Sequence, residues 1–112
     1  MASSQGERRL QSAVIKYLNA KKDSFCVDHY SGGVPACARG NRIIYKKQVH
    51  KVNGFPDLIW IFRGSVYFVE LKMPKGVVSK DQKLCHARIE ECGGRVLIWR
   101  SFQECIDFIS SP

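Results

Sequence analysis

The chain has 112 residues, 45% of them apolar and 25% charged, with a formal net charge of +8 and a pI near 9.5. That size suits a single domain over residues 1–112 with one apolar core, and no apolar run is long enough to suggest a membrane span or a secretory leader. The positive excess selects a polyanionic partner, nucleic acid ahead of an anionic membrane surface.

Ser4-x-x-Glu7 is a capping box that opens a helix with the apolar stripe Leu10, Val14 and Leu18. The helix fades across Asn19–Asp23, and Phe25–His29 then alternates like a strand. Ser31-Gly32-Gly33-Val34-Pro35 reads as a loop. Arg42–Lys46 is a candidate strand leading into the basic Lys47, His50 and Lys51. Asp57–Phe62 and Ser65–Leu71 are the clearest strands, and the two-residue gap Arg63-Gly64 fits a hairpin. Ser79-x-x-Gln82 is a second capping box, opening a helix through Leu84, Ala87 and Ile89 that stops at Gly93-Gly94. Arg95–Trp99 is an apolar strand. Ser101-x-x-Glu104 caps a last helix with Phe102, Ile106 and Ile109. The core order is α-β-β-β-α-β-α, with Arg42–Lys46 as an additional strand. The strand-helix-strand run from Glu70 to Trp99 predicts a right-handed crossover and a parallel pair. The fold class is therefore α/β, a mixed sheet flanked by helices, with Trp60 and Trp99 in its core.

Cysteines 26, 37, 85, 92 and 105 are odd in number and form no Cys-x-x-Cys pair. They read as reduced core thiols of a cytoplasmic protein, and their spacing with His29, His50 and His86 matches no zinc pattern.

Between His29 and Lys80 the only acidic residues are Asp57 and Glu70, among nine Lys and Arg. Asp57 follows the bend Gly54-Phe55-Pro56, and Glu70 interrupts the run Val66–Leu71. A hairpin turning at Arg63-Gly64 sets Asp57 opposite Glu70, with both carboxylates on one face. Like charges so placed persist when a cation sits between them. Mg²⁺ or Mn²⁺ suits such hard oxygen ligands, with the backbone carbonyl of Leu71 as a further oxygen. Lys72 shares the face of Glu70, because side chains alternate along a strand. It would orient a water or balance charge on a phosphate. The bland alternative is a turn aspartate beside an exposed Glu–Lys pair.

Pro56-Asp57 followed by Glu70-Leu71-Lys72 resembles the PD-(D/E)xK nuclease superfamily, with its restriction-endonuclease-like core. The Gly54–Leu58 bend, Val69–Lys72, Ser79-x-Asp81-Gln82 and Gly93-Gly94 before a strand bring the resemblance closer to its virus-type replication-repair nuclease (VRR-Nuc) family. It covers Glu7 to Ile109. The resemblance implies that Asp57 and Glu70 bind the metal and that Lys72 is the catalytic lysine. It also implies site roles for Gln82 and for Glu7, an additional acidic residue, although capping accounts for both as well. Many relatives carry a smaller residue where Phe55 stands.

Arg39, Arg42, Lys46, Lys47 and Lys51, interleaved with Tyr45, form a candidate phosphate-tracking arm, and Lys75 and Lys80 flank the loop beside the motif. The residues predict a metal-dependent nuclease, and the resemblance implies a structure-specific endodeoxyribonuclease acting on branched DNA such as four-way (Holliday) junctions, as stand-alone phage and bacterial members of the family look to be. It would work in the cytosol of a bacterium or a phage-infected host, with no membrane partner and no small-molecule cofactor. Paired cuts by a chain with one site imply a homodimer or higher homo-oligomer. The rivals are a flap or linear-duplex nuclease on the same fold and a non-catalytic nucleic-acid-binding module.

Overall fold

Helix α1 spans Gln5–Asn19, and its stripe packs as expected: Val14 and Leu18 are fully buried and Leu10 lies against the same cluster. The structure is a computed structural model that describes residues 5–28, 34–39, 42–46 and 52–111, with backbone alone for 34–39 and 42–46. The expected cap Ser4 lies outside those residues. At the other end of α1, the Asn19 side chain donates to the Cys26 carbonyl (3.0 Å) and accepts from the Cys26 N–H (2.8 Å). One amide thereby ties the helix to the outer edge of strand β1, Ser24–Asp28.

Strands β2 (Val34–Arg39) and β3 (Arg42–Lys46) form an antiparallel pair with a register shift between Pro35 and Cys37. The second of these strands was expected. The first corrects the loop reading of Val34-Pro35, since a proline is tolerated where a two-stranded ladder is bulged and has an open edge.

Strands β4 (Leu58–Phe62) and β5 (Ser65–Leu71) turn at Arg63 (φ 49°) and Gly64 (φ 85°). Positive φ at both central residues marks the tight hairpin turn whose twist matches that of paired strands. The register runs from Phe62 opposite Ser65 to Leu58 opposite Val69, as a two-residue turn requires. Ladder pairing stops at Leu58, so Asp57 lies in the bend just ahead of the strand and not inside it. Helix α2, Lys80–Glu91, crosses over to strand β6, Arg95–Trp99, which runs parallel to β5 with Leu71 beside Trp99. The main sheet is mixed, in the order β1-β4-β5-β6. Helix α3, Phe102–Ser110, closes the chain.

Both expected caps of the later helices form. Ser79 and Gln82 make the full reciprocal box, with bonds of 3.1 and 2.8 Å. Ser101 makes half of one, because the Glu104 carboxylate accepts from the Arg100 N–H in place of that of Ser101.

Trp60 centres the core under α1 and α3, stacked on Phe62 at 4.8 Å and edge-on to Trp99 and Phe108. Its indole N–H reaches the Ser24 hydroxyl at 2.8 Å, so the ring is buried without an orphaned donor. Val69 and Leu71 join this core, and Glu70 between them turns to the opposite face, under α2. Of the apolar residues along α2, Leu84 is 57% exposed; the residues it buries are Cys85, as expected of a core thiol, and His86. Cys26, Cys85 and Cys105 are buried free thiols, whereas Cys92 is free but exposed, against the expectation for it. No described helix is long and apolar enough to cross a membrane.

Candidate active site

The bend that delivers Asp57 is shaped by a close approach to α2. Gly54 has φ +79°, and a Cβ there would lie 2.4 Å from the Asp81 carbonyl group and 2.5 Å from the Gln82 nitrogen. Only glycine meets both the dihedral and the contact. Pro56 is fully buried, and Phe55 packs edge-on against Phe68 of β5 at 5.8 Å. The larger residue at 55 therefore pins the bend to the sheet. Held in this way, Asp57 accepts the Leu71 N–H through Oδ2 at 2.8 Å. In a strand the N–H and C=O of one residue point to the same side, so the Leu71 carbonyl faces the Asp57 side too.

Glu70 is 1% exposed. Its Oε2 accepts from Gln82 Nε2 at 3.3 Å, and its Oε1 lies 3.2 Å from His86 Nε2. Burial pushes its carboxyl up to about 9; the Asp57 carboxylate, within hydrogen-bonding reach, pushes the same way, Lys72 opposes, and Glu7 adds repulsion. Burial lowers the His86 pKa, so the ring is uncharged and this contact is a hydrogen bond more than an ion pair. With Glu70 ionised, the proton belongs on Nε2.

Asp57, Glu70 and Gln82 thus meet, from the bend, β5 and α2, while Lys72 and Glu7 of α1 lie near enough for their charges to act on Glu70. Lys72 continues β5, its N–H bonded to the Trp99 carbonyl at 3.0 Å. The loop beyond it is held by Arg100, which donates to the carbonyls of Met73 (3.1 Å), Pro74 (3.4 Å) and Gly76 (2.5 Å). Lys75, within that loop, and Lys80, at the start of α2, are both exposed. Of the candidate arm, Arg39, Arg42 and Lys46 lie in the β2–β3 pair, described as backbone alone; Lys47 and Lys51 lie outside the described residues. His86 was absent from the expected site. Its signal was legible, because it stands four residues after Gln82 and so on the same helix face.

Two facing carboxylates, one of them buried, with a third acid adding repulsion, make a site short of positive charge. It keeps a proton or takes a cation. Among the described residues no group of three or more His, Cys, Asp or Glu gathers in a metal-holding cluster. Such a donor set fits a hard ion that keeps several waters, Mg²⁺ or Mn²⁺, better than one needing a full protein cage.

A family model for the VRR-NUC domain matches residues 6–103. The chain belongs to the VRR-NUC domain family. A solved structure described as a VRR_NUC domain is similar in fold, with a TM-score of 0.65 at 21% identity, covering 96% of this chain and 97% of that one. No curated protein matches. The VRR-NUC match takes in Glu7, Asp57, Glu70, Lys72 and Gln82, and the family is of nuclease type, with DNA as its substrate class.

Proposed function

We propose that this VRR-NUC chain is a Mg²⁺- or Mn²⁺-dependent endodeoxyribonuclease that hydrolyses phosphodiester bonds in branched DNA, four-way junctions foremost, as a homodimer or larger homo-oligomer. The observation that carries the reading is the buried Glu70 carboxylate facing Asp57, with Lys72 following on the same strand. Asp57, Glu70 and the Leu71 carbonyl would hold the cation. When bound, the ion supplies Lewis acidity to a phosphate oxygen and makes a bound water more acidic.

The chain's own residues do the rest. Lys72 sets its ammonium against the charge that develops on the phosphate and orients the attacking water. Gln82 keeps Glu70 turned toward Asp57. Glu7 adds negative charge on the approach from α1 and favours retention of the cation. Lys75 and Lys80 meet flanking phosphates, as does the arm with Arg39, Arg42, Lys46, Lys47 and Lys51; these contacts position DNA without reading its sequence. The described residues of one chain hold one such site and a junction needs two cuts, which is the argument for a symmetric oligomer. The buried free thiols Cys26, Cys85 and Cys105 suit a reducing cytosol.

The test is cleavage of labelled four-way junction, flap and linear duplex with Mg²⁺, Mn²⁺ or EDTA, beside Asp57→Ala. Paired, metal-dependent cuts in the junction, absent from the variant, are expected. Preferential cutting of flap or linear duplex would replace the junction reading. Tight binding with no turnover on any substrate would replace catalysis with a binding role.

A further inference from the structure

We propose that His86 is a positioning residue for the metal site: its imidazole fixes the Glu70 carboxylate from behind and so sets cation affinity. This inference rests on the proposed metal-dependent chemistry and adds to it a residue that neither the motif nor the family match assigns.

The geometry is that of a two-point grip. Gln82 Nε2 holds Oε2 at 3.3 Å and His86 Nε2 sits 3.2 Å from Oε1, so both oxygens of one carboxylate are engaged by one face of one helix. Residues four apart on a helix are neighbours, which is why a single rigid element can make both contacts. A carboxylate held at one oxygen still rotates about its last torsion; held at both, its plane is set. The grip comes from the α2 side and leaves the Asp57 side for a cation. His86 is 7% exposed and Glu70 1%, so water does not substitute readily for either partner. The helix is itself located by the Gly54 contact at Asp81 and Gln82, so the bend that carries Asp57 and the helix that grips Glu70 are one packed unit. Partners of metal-ligating groups commonly carry about 10- to 100-fold of metal affinity.

The experiment is a Mn²⁺ binding titration of the full chain without DNA, read by the electron paramagnetic signal of free Mn²⁺, for wild type, His86→Phe and His86→Gln. The metal concentration for half-maximal cleavage and the KM for DNA are measured beside it. Phe keeps a ring of similar shape without a donor, and Gln keeps a donor of comparable reach. His86→Phe is expected to weaken Mn²⁺ binding about tenfold or more, to raise the half-maximal metal concentration in step, and to leave the KM for DNA unchanged. His86→Gln is expected to recover most of the affinity. Wild-type Mn²⁺ affinity in a folded His86→Phe overturns the assignment while the nuclease reading stands. No Mn²⁺ binding by the wild type overturns both. If His86→Phe does not fold, His86→Asn, whose shorter amide falls short of Glu70, takes its place under the same criteria.

Discussion

Glu70 makes the stability of the metal-free protein depend on pH in a direction opposite to that of a salt-bridged carboxylate. Its carboxyl is pushed up to about 9 in the folded chain, from an ordinary 4.5, chiefly by burial and then by Asp57. The folded state therefore binds more protons than the unfolded one between those values, and unfolding becomes easier as pH rises through that interval. The stabilisation is complete below about 4.5 and is lost on the way to about 9. Each pH unit inside the window is worth at most about 1.4 kcal/mol. The cleanest part of the window runs from about pH 7 to 8, above the titration of unfolded histidine and below the midpoint at which the buried thiols Cys26, Cys85 and Cys105 begin to add a slope of the same sign. Across it the wild type should lose roughly 1.4 kcal/mol, and less where Asp57 shares the proton. Against a domain stability of about 5–15 kcal/mol that is readily measured. Urea unfolding at the two pH values, followed by circular dichroism, reads the loss directly. Glu70→Gln keeps the shape, removes the titration and should flatten the slope. Mg²⁺ at about 100 times its dissociation constant should return roughly 3 kcal/mol to the wild type at the upper pH and little to the variant. Equal slopes in wild type and Glu70→Gln would refute the argument, because the buried carboxyl would then not be what titrates.

Three further outcomes follow from the same contacts. Gly54→Ala puts a methyl group 2.4 Å from the backbone of Asp81 at a φ of +79°, so it should destabilise the chain by about 1–3 kcal/mol and slow cleavage, read by urea unfolding and a junction assay. Lys72→Ala should abolish cutting while the circular dichroism spectrum and DNA affinity stay close to wild type; full activity would remove Lys72 from the mechanism. Arg100→Ala removes the donor shared by the Met73, Pro74 and Gly76 carbonyls and should cost about 1–2 kcal/mol. It should also speed protease cleavage within residues 73–78, which peptide mapping detects.

The parts of this molecule that were legible in its sequence are those governed by local rules. A two-residue turn leaves one register for β4 and β5, so Arg63-Gly64 brings the Asp57 bend to Glu70 with no tertiary information. Ser79 and Ser101 mark helix starts because orphaned N–H groups need an acceptor wherever the helix lies. Strand β2 escaped for the same reason in reverse: Pro35 breaks the local rule, and only its pairing with β3 places it in a strand.

The buried face of α2 is set by the site and not by apolar periodicity. Apolar periodicity assigns a helix's inward side on the premise that the protein interior is apolar, and on that premise Leu84 belonged inside. Beneath α2, however, the sheet presents a buried carboxylate, and an unsatisfied buried charge costs more than an exposed leucine. The helix therefore turns Gln82 and His86 down onto Glu70 and leaves Leu84 beside an open groove with Phe55, Phe68 and Ile89. An acid inside an apolar strand run dictates that whatever covers it brings donors; the donors at Gln82 and His86, one helical turn apart, were in the sequence to be matched to it.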